Sequence, residues 1–402
     1  MLVYVLNKHG LPLMPCSPRK ARVLLKEGRA KVVKRTPFTI QLLYGSSGYK
    51  QPIKLGVDSG YQNIGLSATT AKKEIFSAEV KLRKDIVELN SERRSFRRAR
   101  RGRKTRYRKA RFQNRRKKEG WLAPSIQHKL DSHYKAILMV EGLLPITEVV
   151  IEVANFDIQK IKNPAIAGKG YQEGEQMGFW NVREYVLYRD AHICQHCKGK
   201  TKDKVLEVHH IETRRTGGNR PDNLITLCST CHHKVSTGKL KLKVKVSNGF
   251  KQEAFMSMAR WRLVDMVGAL PTYGYITKHQ RIGKGLEKSH INDAFIIAGG
   301  DTQERIAGYN IQQVRKCNRK LYKGIRSHIK NTAPRFVHGF QRYDKVSYQD
   351  MECFIAGRSV SGGFVLSLLD GSRVRASYKK LQLLESANTF LVERREPVSS
   401  PA

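Results

Sequence analysis

Along this chain apolar residues fall mostly into short alternating or continuous blocks, and helical spacing is confined to a few longer stretches. Residues 2–6 predict a strand. Ser17-Pro18 ahead of residues 19–26 predicts a capped helix, because a hydroxyl accepts an orphan N–H and proline suits the first turn. Strands follow at 31–34 and 38–43, so residues 1–44 read as a small αβ unit, closed by a linker at 45–48. A strand over 53–58 turns at Ser59-Gly60 and resumes at 64–68, and a helix over 126–144 leads to a strand at 148–153. Further on, the pattern predicts strands at 205–208, 240–246 and 273–278, a helix over 252–270 and another opening at His290. Residues 345–395 read as short strands with turns at Gly357, Gly362-Gly363 and Asp370-Gly371, a small β-barrel-like module. The mixture predicts an α/β multidomain chain, and 402 residues are too many for one compact core.

Charge narrows the partners. The net charge is +42, from 76 basic against 34 acidic residues, and self-repulsion on that scale calls for a polyanion such as nucleic acid. Residues 93–118 hold 16 basic residues in 26 and no acid, spread over every face of a helix, so no apolar stripe remains to bury. A continuous helix lying in a nucleic-acid groove fits this run; a disordered basic tail or import signal is the alternative. Its contact candidates are Arg93, Arg94, Arg97, Arg98, Arg100, Arg101, Arg103, Lys104, Arg106, Arg108 and Arg111. A second acid-free run supplies Arg315, Lys316, Arg319 and Lys320 for phosphate contact. No stretch reaches transmembrane length, and neither amphipathic nor lipid signals appear, so a cytoplasmic protein away from membranes is expected.

The cysteines point to metal. Cys194/Cys197 and Cys228/Cys231 form two CxxC pairs, whose four thiolates can close a tetrahedron around a structural zinc. Cys16, Cys317 and Cys353 are scattered, which fits a reducing compartment. Between and after the pairs stand His209-His210, Asn223 and His232-His233. A closed four-thiolate site leaves no position for substrate, so chemistry must rest on the histidines. Two strands and a helix could set His209 and His232 on one divalent cation while His210 acts as general base on water, the layout of an HNH nuclease. Its letters here would be His210, Asn223 and a histidine of the 232/233 pair, with Asn223 holding the loop that positions His210. A zinc ribbon with incidental histidines is the plain alternative. A finger with two cysteines and two histidines is disfavoured, since the second pair is Cys-Cys.

Three acids stand at the edges of apolar elements: Asp58, Glu152 and Asp293. Asp58 alone reads as a strand-ending turn cap. Gathered by one sheet, the three would form a cluster whose repulsion is relieved by cations, the setting for two magnesium ions about 3.5 to 4 Å apart. His290 shares a helix face with Asp293 and would activate water or assist the leaving group.

In this order the segments resemble the IscB family, transposon-encoded relatives of the type II CRISPR effector nucleases. Gly56-Val57-Asp58-Ser59-Gly60, Ile151-Glu152-Val153 and His290-Ile291-Asn292-Asp293 resemble the three parts of a split RuvC nuclease, and Pro12-Leu13-Met14-Pro15 resembles the N-terminal tetrapeptide of the family. The resemblance implies a split RuvC (RNase H-like) mixed sheet, an inserted ββα-metal HNH domain, an arginine-rich bridge helix and a C-terminal β-rich module. The implied boundaries are 1–48 for the N-terminal domain, then 49–90, 121–170 and 246–305 for RuvC. The bridge takes 91–120, HNH 171–245 and the C-terminal module 306–402. It implies an RNA-guided DNA endonuclease, monomeric in a ribonucleoprotein with a structured omega RNA and acting on double-stranded target DNA beside the nucleoid. HNH, with one magnesium, would cut the guide-paired strand and RuvC the displaced strand. Only residues 119–147 separate the bridge run from the second RuvC segment, so RNA should supply scaffold that larger effectors build from protein. A protein-guided HNH nuclease and a non-catalytic zinc-stabilised RNA-binding protein are the competing readings.

Overall fold

The computed structural model describes residues 2–102, 120–153, 179, 181–212, 221–242, 244, 251–315 and 334–395; the side chains of 100–102, 251–254, 256–258 and 260 lie outside that description. The chain divides into two compact units, Met1–Ala154 with Phe255–Ala402, and Asn155–Ala254.

The first unit begins with β1 (Val3–Leu6), β2 (Pro12–Cys16), α1 (Pro18–Lys26), β3 (Ala30–Lys34) and β4 (Thr39–Leu42). Ser17 Oγ accepts from Lys20 N and caps α1 as its sequence predicts. The strands form a sheet in the order β2-β1-β4-β3, whose core includes Val3, Leu24 and Ile40. β2 occupies the Pro-Leu-Met-Pro stretch, which carries no alternation to announce it.

A seven-stranded sheet organises the rest of this unit. Its strands are β5 (Lys54–Ser59), β6 (Asn63–Thr69), β7 (Glu74–Lys81), β8 (Glu148–Glu152), β11 (Leu270–Thr272), β12 (Tyr309–Gln313) and β18 (Phe390–Arg394), in the order β11-β8-β5-β6-β7-β12-β18. β5, β6 and β7 run as an antiparallel meander, while β8 adds parallel to β5, and β11 to β8. The sheet is therefore mixed. The helices are α2 (Ile86–Gly102), α3 (Pro124–Glu141), α6 (Lys251–Val267), α7 (Gly274–Gly283) and α8 (His290–Ile297).

Strand pleating assigns the two faces. Leu55 and Val57 of β5, with Leu66 of β6, pack with Leu130 and Ile137 of α3 and Phe255 and Leu263 of α6 in one core. Gly56 and Asp58 point the other way, with Gly65, the cross-strand partner of Asp58. A Cβ on Gly56 would stand 2.1 Å from Ala294 O, and one on Gly65 1.8 Å from His290 O. Glycine at both positions lets the α8 backbone lie directly on the sheet.

Two sequence expectations fail here. Residues 273–278 form no strand: β11 ends at Thr272 and α7 starts at Gly274. The run Tyr-Gly-Tyr-Ile-Thr favours a strand locally, but helical spacing turns Thr277 and Arg281 inward together, and that burial prevails. The helix expected through residue 270 ends at Val267, because Gly268 adopts φ 69° and its N–H and that of Ala269 both close on Val264 O.

Toward the C-terminus, β13 (Lys345–Tyr348), β14 (Met351–Arg358), β15 (Gly363–Ser367), β16 (Arg373–Ser377) and β17 (Gln382–Glu385) form a five-stranded antiparallel sheet, β16-β15-β14-β13-β17. Gly362 and Gly371 sit in turns at φ 93° and 97°, as expected. Gly357 does not: it lies inside β14 at a register shift, and the turn is made by Gln349 and Asp350, both at positive φ. β18 also leaves this module for the large sheet.

In the second unit, α4 (Val182–Arg189), β9 (Leu206–His210), β10 (Leu224–Cys228) and α5 (Ser229–Ser236) surround the cysteines. Residues 240–242 and 244 carry no strand, contrary to the reading of 240–246, whose other positions lie outside the described residues. Among the described residues no helix is long and apolar enough to cross a membrane.

Candidate active sites

In the first unit Asp58 closes β5, and His290 opens α8 behind the cap Ser289, whose hydroxyl accepts from Asn292 N. His290 Nδ1 lies 2.6 Å from Asp58 Oδ2. That bond raises the His290 pKa, against a smaller opposing effect of burial. Glu152 closes β8, next to β5, and the Ser59 hydroxyl donates to its carbonyl at 2.8 Å. Burial first, then the negative charge of Asp58 and of Asp293, push the Glu152 carboxyl up to about 7, although a Thr277 hydrogen bond pulls the other way. The Asp293 pKa is raised by burial and by Asp58. Its Oδ1 lies 2.8 Å from Arg281 Nε, an ion-pair contact too oblique to give that nitrogen a directed hydrogen bond.

The three acids thus form one electrostatically coupled group, with two buried or half-buried carboxyls held toward protonation. Their oxygens do not all lie within 4.8 Å of one another, and a hard cation drawing them together would relieve the repulsion. α3 braces the turn behind Asp58: His133 is buried, its ring nitrogens 2.8 Å from Lys129 O and 3.0 Å from Gly60 O, and the Lys129 ammonium donates to Tyr61 O. Thr277, Arg281 and His133 escaped the sequence reading. The first two stand at i and i+4 of α7; Thr277 falls within the strand expected at 273–278 and Arg281 just beyond it, which hid their shared face.

In the second unit β9 and β10 pair antiparallel, setting His210 opposite Leu224 and His209 opposite Ile225. Asn223 is fully buried; its Oδ1 accepts from Glu212 N at 2.8 Å and its Nδ2 donates to Glu212 O at 3.0 Å. The residue therefore ties down the chain just after His210. Arg189 of α4 holds the same turn by donating to Pro221 O and Leu224 O, each at 2.9 Å.

The His209 and His232 rings meet edge to face, 4.9 Å between centroids. Burial lowers the His209 pKa, assisted by His232 and His210, which favours the neutral imidazole that a metal requires. Glu207 Oε2 lies 2.5 Å from His232 Nδ1 and so orients that ring, leaving Nε2 for another partner. Glu207 also went unread, although its signal is simple: it stands two residues before His209 and faces the same side of β9.

Cys194, Cys197, Cys228 and Cys231 bring their sulfurs within 4.8 Å of one another. Cys197 Sγ and Cys228 Sγ are 3.8 Å apart, which matches the edge of a tetrahedron with zinc–sulfur bonds of about 2.3 Å. Thr201 hydrogen-bonds Cys197 and draws its thiol down to about 6, while burial drives Cys231 upward. These four thiols fit structural zinc.

Residues 194–238 match the family model described as HNH endonuclease, and residues 3–174 the model described as RRXRR protein. The cassette is an HNH endonuclease domain. The RRXRR match covers the N-terminal sheet, Asp58, Glu152 and α2, and within it the chain reads Arg97-Arg98-Ala99-Arg100-Arg101. An HNH domain supports a nuclease, hence a hydrolase of phosphodiesters, and with the RRXRR domain it supports nucleic-acid binding. No curated protein matches the chain.

Among the nucleic-acid contact candidates, Arg93, Arg94, Arg97 and Arg98 are exposed on α2, and Arg100 and Arg101 continue that helix. Arg315 follows β12. Arg103, Lys104, Arg106, Arg108, Arg111, Lys316, Arg319 and Lys320 lie outside the described residues.

Proposed function

We propose that this protein is an RNA-guided DNA endonuclease of the IscB type, working with a structured omega RNA. The HNH domain would cut the guide-paired strand, and a split RuvC-type site would cut the displaced strand. The observation that carries the reading is the convergence of Asp58, Glu152 and Asp293 into one coupled acidic group beside His290, in a chain that also carries an HNH domain. A zinc-stabilised RNA-binding protein has no use for such a group.

At the RuvC-type site, Asp58, Glu152 and Asp293 would hold two magnesium ions, whose charge would be available to polarise the phosphate and to stabilise the departing oxygen. His290 does the proton work. Its bond to Asp58 fixes the ring and favours the protonated form, so it is suited to hand a proton to the leaving oxygen. In the HNH domain His209 and His232 would hold one magnesium, with Glu207 fixing the ring of His232. His210 accepts the proton of the attacking water, and Asn223 keeps the following residues in place. Exposed arginines on α2 supply sequence-independent phosphate contact, while base pairing to the guide reads the target.

The test is to purify the full chain and sequence the nucleic acid that accompanies it. One abundant structured RNA, required for cutting a matched duplex, is the expected result. Recovery of random fragments, with undiminished cutting after RNase treatment, would overturn RNA guidance.

A further inference from the structure

Gly274 abuts the acidic group: a Cβ there would stand 3.0 Å from Glu152 Oε1. The residues on either side of it are Tyr273 and Tyr275. Their rings are nearly parallel, 16° between planes and 6.0 Å between centroids, and they are 38% and 73% exposed. Most of the Tyr275 ring therefore faces water, one residue along from the glycine that abuts the half-buried Glu152 carboxylate. The backbone that carries the pair is firmly fixed. Thr272 pairs in register with Glu152, Val153 N donates to Thr272 O at 2.8 Å, and Tyr273 O accepts from Thr277 N at 3.2 Å. One turn and two turns along the same face of α7, exposed Lys278 and Ile282 continue the surface.

An aromatic pair on a rigid support, open to solvent and without a core to fill, offers flat apolar faces to another flat group. Bases within a duplex cover their own faces by stacking, so the fitting partner is an unpaired base. We infer that Tyr273 and Tyr275 form a stacking platform for the bases of a single-stranded segment, seating the strand whose phosphate enters the Asp58-Glu152-Asp293 site. This inference rests on the RuvC-type reading of that site. The platform holds nucleotides beside the cleaved bond by their base faces, which every sequence possesses, so it grips the strand without reading it. Lys278 supplies backbone charge at the same edge.

Two measurements on the full ribonucleoprotein test it. First, a single-stranded oligodeoxynucleotide with one 5-iododeoxyuridine is photocross-linked and the adduct mapped by mass spectrometry. An adduct on Tyr273 or Tyr275 is expected; adducts confined to other parts of the chain would overturn the platform, whether or not any strand is cut. Second, single-turnover nicking of the displaced strand is measured on normal targets and on targets with abasic positions beside the cut. Tyr275→Ala should slow nicking of the normal strand roughly tenfold and become insensitive to the abasic change, while Tyr275→Phe keeps both the rate and the sensitivity. Equal abasic sensitivity in Tyr275→Ala and wild type would refute the inference. A protein that cross-links at Tyr275 but never nicks the displaced strand would instead refute the RuvC-type reading and leave the platform standing.

Discussion

His290 Nδ1 lies 2.6 Å from Asp58 Oδ2 although 232 residues separate them in the chain. The contact depends on backbone as much as on side chains, since α8 reaches Asp58 only where Gly56 and Gly65 let it rest on β5 and β6.

Gly65→Ala therefore pushes a methyl group into the His290 carbonyl and lifts the start of α8. Overpacking of this kind costs about 1 to 3 kcal/mol, or more where backbone must move. Displaced-strand nicking should fall sharply while the HNH strand is still cut, read on a duplex labelled on each strand. Unchanged cutting of both strands would show that this close approach is dispensable.

Acidity gives a second test. Glu152 is held up to about 7 by burial and neighbouring acids, and His290 is raised by Asp58. Both shifts favour the protonated folded state, so the stability they contribute is present at low pH and is lost as pH rises through the folded values. Without divalent cations the melting temperature should fall as pH rises from about 4.5 to about 7, the window of the Glu152 shift, and magnesium should restore it most at the alkaline end. In Asp58→Asn both trends should flatten; a wild-type-like profile in that variant would place the titration elsewhere.

Glu207 orients His232 through a contact of 2.5 Å. Glu207→Ala should leave the four-cysteine site intact yet raise the magnesium needed for HNH-strand nicking by roughly 10- to 100-fold, the usual cost of losing a group that orients a metal-binding histidine. Titration of that nick with magnesium decides it.

Zinc should be present at one atom per chain by elemental analysis, and Cys228→Ser should remove it. The loss should unfold the surroundings of β9 and β10 and abolish HNH cutting, as structural zinc sites contribute directly to folding. Full HNH activity in zinc-free protein would make the cluster incidental.

Much of this was legible in the sequence because the decisive residues sit at element ends. Asp58 and Glu152 close apolar strands and His290 follows a serine cap, all of which show as local pattern. The CxxC pairs announce the four-thiol cluster by their spacing. What stayed hidden depends on tertiary packing. The first half of α7 reads as a strand because its residues favour one locally, which hides the helical face that Thr277 shares with Arg281, the partners of Glu152 and Asp293. β18 could not be assigned to the large sheet, since its pairing with β12 joins segments far apart in the chain.

On the proposed function, two separate active sites each cut one strand. Strand-resolved cleavage of a labelled duplex by His210→Ala and by Asp58→Ala tests it most directly. His210→Ala should lose only the guide-paired cut and Asp58→Ala only the displaced-strand cut. A folded variant of either kind that lost both cuts, or kept both, would contradict it.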